Sequence, residues 1–334
     1  MRRATLARGA AGASSRAARA AVLAEPGRFE LREVDSPRPG PRDLVVRLEG
    51  CGVCGSNLGP WAGAPWFEYP FPPGAPGHEG WGVVEEVGVG VRDFEPGDRV
   101  ATLSDRAYAD RIVAPAATAV RLPEALSDRP FPGEPLGCAV NVFERSRIRP
   151  EHTVAVVGVG FLGALVMQLA SAAGARVIGL SRRGYALEVA RSCGARLRID
   201  VSDADAAVAA VEEATGGALC DVVIEATGKQ APLDLASRLT RERGRLVIAG
   251  YHQDGPRRVD MQLWNWRGLD VINAHERDSG RYLDGIRAAI DATLAGRLDP
   301  DPLITHEFPL DELGRALDAT RVRPDGFLKA VVRP

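Results

Sequence analysis

The stretch that most constrains this chain covers residues 154–183: V-A-V-V-G-V-G-F-L-G, a helical run, then R-V-I-G-L-S-R-R. The β-branched run at 154–157 suits a buried parallel strand. Gly158, Gly160 and Gly163 follow at the G-x-G-x-x-G spacing. The first glycine permits a tight turn, the second lets a pyrophosphate approach the backbone, and the third lets helix pack closely on strand. Residues 161–173, opening with Phe161 and Leu162, read as a helix whose first N–H groups can hold that pyrophosphate. Gly174 stops it, and 176–180 is a second strand. The spacing alone also makes a tight βα turn in other α/β proteins. Strand before, helix after and a second strand at the right distance make it a dinucleotide site.

The tip of the second strand bears on the choice of dinucleotide. An NAD site commonly places Asp or Glu there for the ribose 2′-OH, whereas this chain has Ser181, Arg182 and Arg183. A carboxylate would repel a 2′-phosphate; a hydroxyl and two guanidiniums can bind it. The pattern therefore favours NADP over NAD, the bland alternative being two solvated arginines on a surface loop.

A chain of 334 residues has room for two cores. Its formal net charge of −2 gives no general attraction to nucleic acid or an anionic membrane. No apolar run approaches the about 20 residues that span a bilayer. The five cysteines, Cys51, Cys54, Cys138, Cys193 and Cys220, are too few and too odd for a disulfide framework and fit a reducing cytoplasm. Residues 1–18 are Arg-, Ala- and Ser-rich without an acidic residue, superficially like an organellar transit peptide. The same bias continues through the chain, so a disordered extension over 1–19 is expected.

Residues 20–23, 29–33, 44–49, 82–87 and 99–102 read as short strands among Pro- and Gly-rich turns. Between them, 51–78 reads as an aromatic loop with Trp61, Trp66, Phe67, Tyr69 and Phe71. The first part of the chain is thus β-rich. From Thr153 strands at 221–225, 245–249 and 269–273 alternate with helices at 204–213 and 231–239, which makes a doubly wound parallel sheet. A helix over 280–295 precedes a mixed tail.

A second constellation lies in the β-rich part: Cys54 in C-G-V-C-G-S-N, His78 and Glu79 in P-G-H-E-G-W-G, and Glu134 and Cys138 in G-E-P-L-G-C-A. All are zinc-ligand types, and a catalytic zinc commonly takes three protein ligands and keeps one open position. With P-G-H-E-G-W-G-V-V-E-E-V-G, F-E-P-G-D-R-V and the glycine-rich turn in this order, the chain from Ala20 onward resembles the medium-chain zinc-dependent alcohol and polyol dehydrogenases. The resemblance implies an α/β protein with a GroES-like catalytic domain over 20–142, completed by 298–334, and a Rossmann cofactor domain over 143–297. It also implies a homodimer or homotetramer acting on a small molecule.

Carried over by position, the resemblance makes Cys54, His78 and Glu79 catalytic residues and zinc ligands, with either Glu134 or Cys138 completing the set. Glu134 matches the E-P-L glutamate of the polyol branch and is slightly preferred; Cys138 stands where the alcohol branch has cysteine. Ser56 matches the hydroxyl that passes on the substrate proton, and Lys329 a basic residue that reaches the cofactor phosphates. Residues 101–117 lack the cysteines of the family's structural-zinc lobe, so one zinc per chain is expected. Asn57 replaces an acidic residue and is expected to orient His78. Gly59 stands where many members have a relay histidine; His275 is a candidate substitute, or an ordinary exposed histidine. Trp264 and Trp266 fall where the family builds pocket wall or subunit interface.

The activity so implied is zinc-dependent hydride transfer between NADP(H) and a secondary alcohol or ketone, with E-P-L leaning toward a polyol, sugar or cyclitol. A reductase of carbonyls, imines or activated alkenes is the rival enzyme, favoured by Gly59. A non-catalytic NADP-binding protein is the rival of another kind, and the intact Cys54, His78 and Glu79 argue against it.

Overall fold

A computed structural model describes residues 17–334. The body of the expected extension lies outside them, but the first strand, Ala18–Glu25, already begins inside the 1–19 span.

The glycine-rich turn belongs to a six-stranded parallel sheet. Its order across the sheet is Leu197–Asp200, Arg176–Ser181, Thr153–Val157, Cys220–Glu225, Thr240–Ile248 and Asp270–Asn273. Val154 lies beside Val177 on one side and Val222 on the other, all buried, which is why these strands read as unbroken apolar runs. The order reverses direction at Thr153–Val157, so a crevice opens at the carboxyl ends on either side of that strand. Thr240–Ile248 starts before the expected residue 245, and Leu197–Asp200 completes the six.

The other large sheet has seven strands, antiparallel around Asp43–Gly52. Arg111–Pro115 and Ala119–Arg121 join the strands expected from sequence. The final strand, Ala330–Arg333, pairs antiparallel with Asp43–Gly52, matching Val331 with Gly52. The end of the chain therefore builds the sheet begun near its start. A core shared by both sheets runs from Trp81 and Ala101 through Phe131 and Leu136 to Val154 and Val156. Phe131 and Leu136 reach it from the loop before the helix Gly133–Ser146 and from that helix, in a region whose sequence reads as the end of the β-rich part.

Candidate metal centre and cofactor crevice

Three strand ends converge in the antiparallel sheet. Gly52, the last residue of Asp43–Gly52, pairs with Glu79, the first of Glu79–Val87, and with Val331 of the last strand. Residues just beyond those ends are thereby brought together: Cys54, His78 and Lys329. Cys54, His78 and Glu79 place one donor atom each within 4.8 Å of one another, the only such cluster among the described residues.

Local chemistry sets each donor. Cys54 caps the single turn Gly55–Asn57, where its Sγ accepts the Ser56 N–H at 3.5 Å and its own N–H donates to Asn57 Oδ1 at 3.2 Å. The turn interrupts the loop expected over 51–78 and continues into the short helix Leu58–Trp61. His78 Nδ1 lies 2.9 Å from the Pro76 carbonyl, which can only accept, so Nδ1 carries the proton and Nε2 is free to ligate. Asn57 does not orient His78, contrary to expectation. Its Nδ2 donates to the same Pro76 carbonyl at 3.0 Å, and its Oδ1 accepts from the buried Tyr108 hydroxyl at 2.7 Å. An acceptor was needed there, but for the Cys54 turn and Tyr108.

Glu79 is fully buried. Lys329 Nζ lies 2.7 Å from Oε1 and 2.5 Å from Oε2, but hydrogen-bonds only the first, and Oε2 is left without a donor. Lys329 also donates to the Val53 carbonyl at 3.1 Å and lies 5.1 Å from the centre of the Phe161 ring, at the start of the cofactor helix. Its ammonium thus points into the metal centre, and the expected contact with cofactor phosphates is not where the structure places it.

Burial works to lower the His78 imidazole, but the hydrogen bond and charge of Cys54, with Glu134 and Glu79 behind, push it up to about 10. A cysteine sulfur, an imidazole nitrogen and a buried carboxylate, brought this close together, are a donor set that fits a zinc ion. Glu134 and Cys138 face each other across one turn of the helix Gly133–Ser146, with Cys138 Sγ donating to Glu134 Oε1 at 3.2 Å. They stand outside the three-donor cluster. Burial and the nearby Glu79 keep Glu134 above the usual carboxylate range despite the His78 charge, and burial with Glu134 raises the Cys138 thiol.

In the cofactor crevice, Gly158 has φ +105°, and a Cβ there would meet Thr227 Cγ2 at 2.4 Å. A Cβ on Gly163 would fall 2.2 Å from the Gly158 carbonyl oxygen. Nothing lies within 4 Å of the Cβ position of Gly160, which caps the helix Phe161–Ala172, so that face is open to a phosphate. At the next strand tip, Arg182 is exposed, with no partner among the described residues. Arg183 is committed elsewhere: it donates to the Phe327 carbonyl at 2.7 Å and the Val159 carbonyl at 3.5 Å, clasping the tail to the glycine-rich turn. Ser181 is mostly buried, its Oγ accepting the Arg183 N–H at 3.2 Å.

A cleft of about 440 Å³ opens beside the metal centre, with His78 in its lining. One wall carries Ser56, Trp66, Phe67, Phe71 and His78; the other is Tyr251, His252 and Gln253, from the loop after Thr240–Ile248. Sequence motifs do not announce this loop. His252 donates from Nε2 to Glu225 at 3.1 Å and accepts from Arg257 at Nδ1 at 2.8 Å, so both ring nitrogens are occupied. Gln253 Nε2 crosses to the Gly55 carbonyl at 3.0 Å. A Cβ on Gly59 would sit 3.1 Å from Gln253 Oε1 and 3.3 Å from Phe67, so Gln253 fills the space a longer side chain would need. His275 is exposed and stacks on Tyr251, with ring centroids 5.4 Å apart. Trp61 is a packing residue, stacked on Phe29 at 5.4 Å and bonded to Asp318. Trp264 bonds Ser237, whereas Trp266 is 87% exposed. No helix among the described residues is long and apolar enough to cross a membrane.

Known proteins match this arrangement along nearly the whole chain. Residues 40–124 match the alcohol dehydrogenase GroES-like domain, and 162–286 the zinc-binding dehydrogenase family. An erythritol/L-threitol dehydrogenase of Mycolicibacterium smegmatis is 30% identical over 90% of this chain and 93% of its own length. Sorbitol dehydrogenase of Gallus gallus is 27% identical over 90% and 93%. A zinc-binding dehydrogenase of Sinorhizobium meliloti, solved bound to NADP, superposes with TM-score 0.83 at 29% identity, covering 96% of this chain and all of its own. With a GroES-like sheet beside a Rossmann sheet and this sequence kinship, the chain belongs to the medium-chain zinc-dependent alcohol and polyol dehydrogenases, oxidoreductases that act on alcohols.

Proposed function

We propose that the protein is an NADP-dependent dehydrogenase interconverting a secondary alcohol and its ketone, with one zinc per chain held by Cys54, His78 and Glu79. The observation that carries this reading is the three-donor cluster within 4.8 Å, one member of which, His78, lines a cleft together with Ser56 and the loop of Tyr251 and Gln253. Glu134 or Cys138 supplies a further ligand in the alternative coordination. Bound zinc supplies Lewis acidity that polarises an alcohol or carbonyl oxygen, and a nicotinamide supplies the hydride acceptor or donor.

The chain's own residues do the rest. His78 is held in one tautomer by the Pro76 carbonyl. Ser56 lines the cleft with its hydroxyl uncommitted among the described residues, and takes and returns the substrate hydroxyl proton at Oγ. Lys329 holds the buried Glu79 carboxylate in place. Phe67 and Phe71 shield the reacting face from water, with Trp66 at the rim. Arg182, free at the strand tip, selects the 2′-phosphate, with Ser181 beside it.

The E-P-L motif and the polyol relatives favour a substrate from the polyol, sugar and cyclitol group, which runs from ring diols to open-chain polyols. The domains divide at 20–142 with 298–334, and 143–297; the exposed Trp266 beside the edge strand Asp270–Asn273 suits a homodimer or homotetramer, working in the cytoplasm. A second reading, a reductase of carbonyls, imines or activated alkenes, is favoured by Gly59, where Gln253 and Phe67 crowd the position a relay side chain would take. The test is a panel of alcohols and carbonyl compounds with NADP and NAD, following reduced-cofactor absorbance, before and after chelation. Alcohol oxidation that prefers NADP and disappears on chelation supports the first reading; chelator-resistant reduction alone overturns it.

A further inference from the structure

The cleft carries more information than the reaction class. We propose that it selects a neutral, ring-bearing secondary alcohol with at most one or two further hydroxyls, and works poorly on open-chain polyols. This inference rests on the dehydrogenase reading above.

The first observation is charge. Among the described residues, no Asp, Glu, Lys or Arg lines the cleft away from the metal centre. A phosphate or carboxylate held away from the reacting carbon would find no counter-ion there, which favours neutral molecules.

The second is the state of the polar groups. Asn57 spends its carboxamide on Cys54, Tyr108 and Pro76. His252 spends both ring nitrogens on Glu225 and Arg257. His78 gives Nδ1 to Pro76, and Gln253 gives Nε2 to Gly55. The groups left for a substrate are the Ser56 hydroxyl, Gln253 Oε1, the Tyr251 hydroxyl and the Trp66 N–H, and the last two belong to half-exposed rim residues. An open-chain polyol carries a hydroxyl on every carbon. With Ser56 serving the reacting hydroxyl, Gln253 Oε1 is the acceptor left inside the cleft, and each further hydroxyl buried without a partner costs free energy.

The third is the wall. Trp66, Phe67, Phe71 and Tyr69 form a chain of ring contacts, with centroids 6.0, 5.9 and 5.4 Å apart in turn. Pro60 and Pro76 extend it into the cleft. Such a surface gains most from a flat apolar face and offers nothing to a flexible chain of hydroxyls. Gln253 Oε1, held over Gly59 by the bond from Nε2 to Gly55, supplies one acceptor beside that wall. It suits a single hydroxyl next to the reacting carbon.

The experiment uses the full-length, zinc-loaded protein with NADP. It compares kcat/KM for cyclohexanol and trans-1,2-cyclohexanediol with that for erythritol and sorbitol. The ring pair is expected to exceed the open-chain pair by at least tenfold, equivalent to about 1.4 kcal/mol. A ratio below tenfold would overturn the proposal. Turnover of the open-chain pair alone would overturn it while sparing the dehydrogenase reading; turnover of none of the four, with zinc bound and with NAD also tried, would count against both. A second measurement isolates the wall: Phe67→Ala should raise the KM for cyclohexanol at least fivefold, with zinc content and the Kd of reduced cofactor unchanged. A smaller rise, or a rise accompanied by lost zinc or cofactor binding, would contradict the assigned role.

Discussion

Lys329 Nζ hydrogen-bonds Glu79 Oε1 at 2.7 Å, and both side chains are sealed from solvent. The pair joins the last strand of the chain to the metal centre. Removing one partner of a buried ion pair leaves the other uncompensated, at a cost of about 3–5 kcal/mol. Lys329→Met is therefore expected to lower the urea midpoint of zinc-free protein strongly, and that of zinc-loaded protein less, because the metal supplies a second cation beside Glu79. Equal midpoints for mutant and wild type without zinc would contradict this role.

Gly52 explains how the carboxylate fits. A Cβ at this position would fall 1.8 Å from Glu79 Oε2, so the strand must leave the space empty. Gly52→Ala should displace Glu79 from the cluster, lowering both zinc retained after dialysis and the melting temperature. Full zinc retention with wild-type melting would show that the carboxylate is not needed where the structure puts it.

Much of this architecture is legible in the sequence, for a physical reason. Parallel strands buried on both faces must be apolar throughout, so residues such as Val154 to Val157 stand out. Leu197–Asp200 does not: it lies at the sheet edge, and Arg198 and Asp200 face solvent. The helix Gly133–Ser146 is masked by Gly133, Pro135 and Gly137. Pro135 sits in the first turn, where its missing N–H costs nothing, and a Cβ on Gly137 would meet Ile286 at 2.9 Å, so that glycine serves close packing. In the site, donor types and local spacing identify Cys54, His78 and Glu79. Gln253 is invisible because its partner, Gly55, lies 198 residues away in the chain and its loop carries no motif. Residue type also cannot reveal that Arg183 and Lys329 are already engaged by carbonyls and a carboxylate.

The two arginines at the strand tip should separate cleanly. Arg182 is free to meet a 2′-phosphate, and a charge-assisted hydrogen bond is worth about 1.5–3 kcal/mol. Arg182→Ala should raise the KM for NADP by roughly tenfold or more and leave that for NAD within about twofold. Arg183→Ala, which strips donors from the Phe327 and Val159 carbonyls, should chiefly lower the melting temperature. Similar cofactor profiles for the two variants would undo this division.

Gly59→His tests the crowding by Gln253. With 3.1 Å to Gln253 Oε1 and 3.3 Å to Phe67 already at the Cβ position, an imidazole must displace one of them. The variant should lose kcat/KM rather than gain a working proton relay. A gain, measured across pH with the best alcohol, would mean that the loop yields easily.

The most direct test of the account is the zinc content of purified wild type and Cys54→Ser, by elemental analysis, beside their turnover of an alcohol with NADP. About one zinc per chain in the wild type is expected from a three-ligand site with an open position. Cys54→Ser should lose the zinc and nearly all turnover together, while still binding reduced cofactor at the separate glycine-rich turn. A zinc-free wild type with full activity, or a Cys54→Ser enzyme that turns over normally, would contradict it.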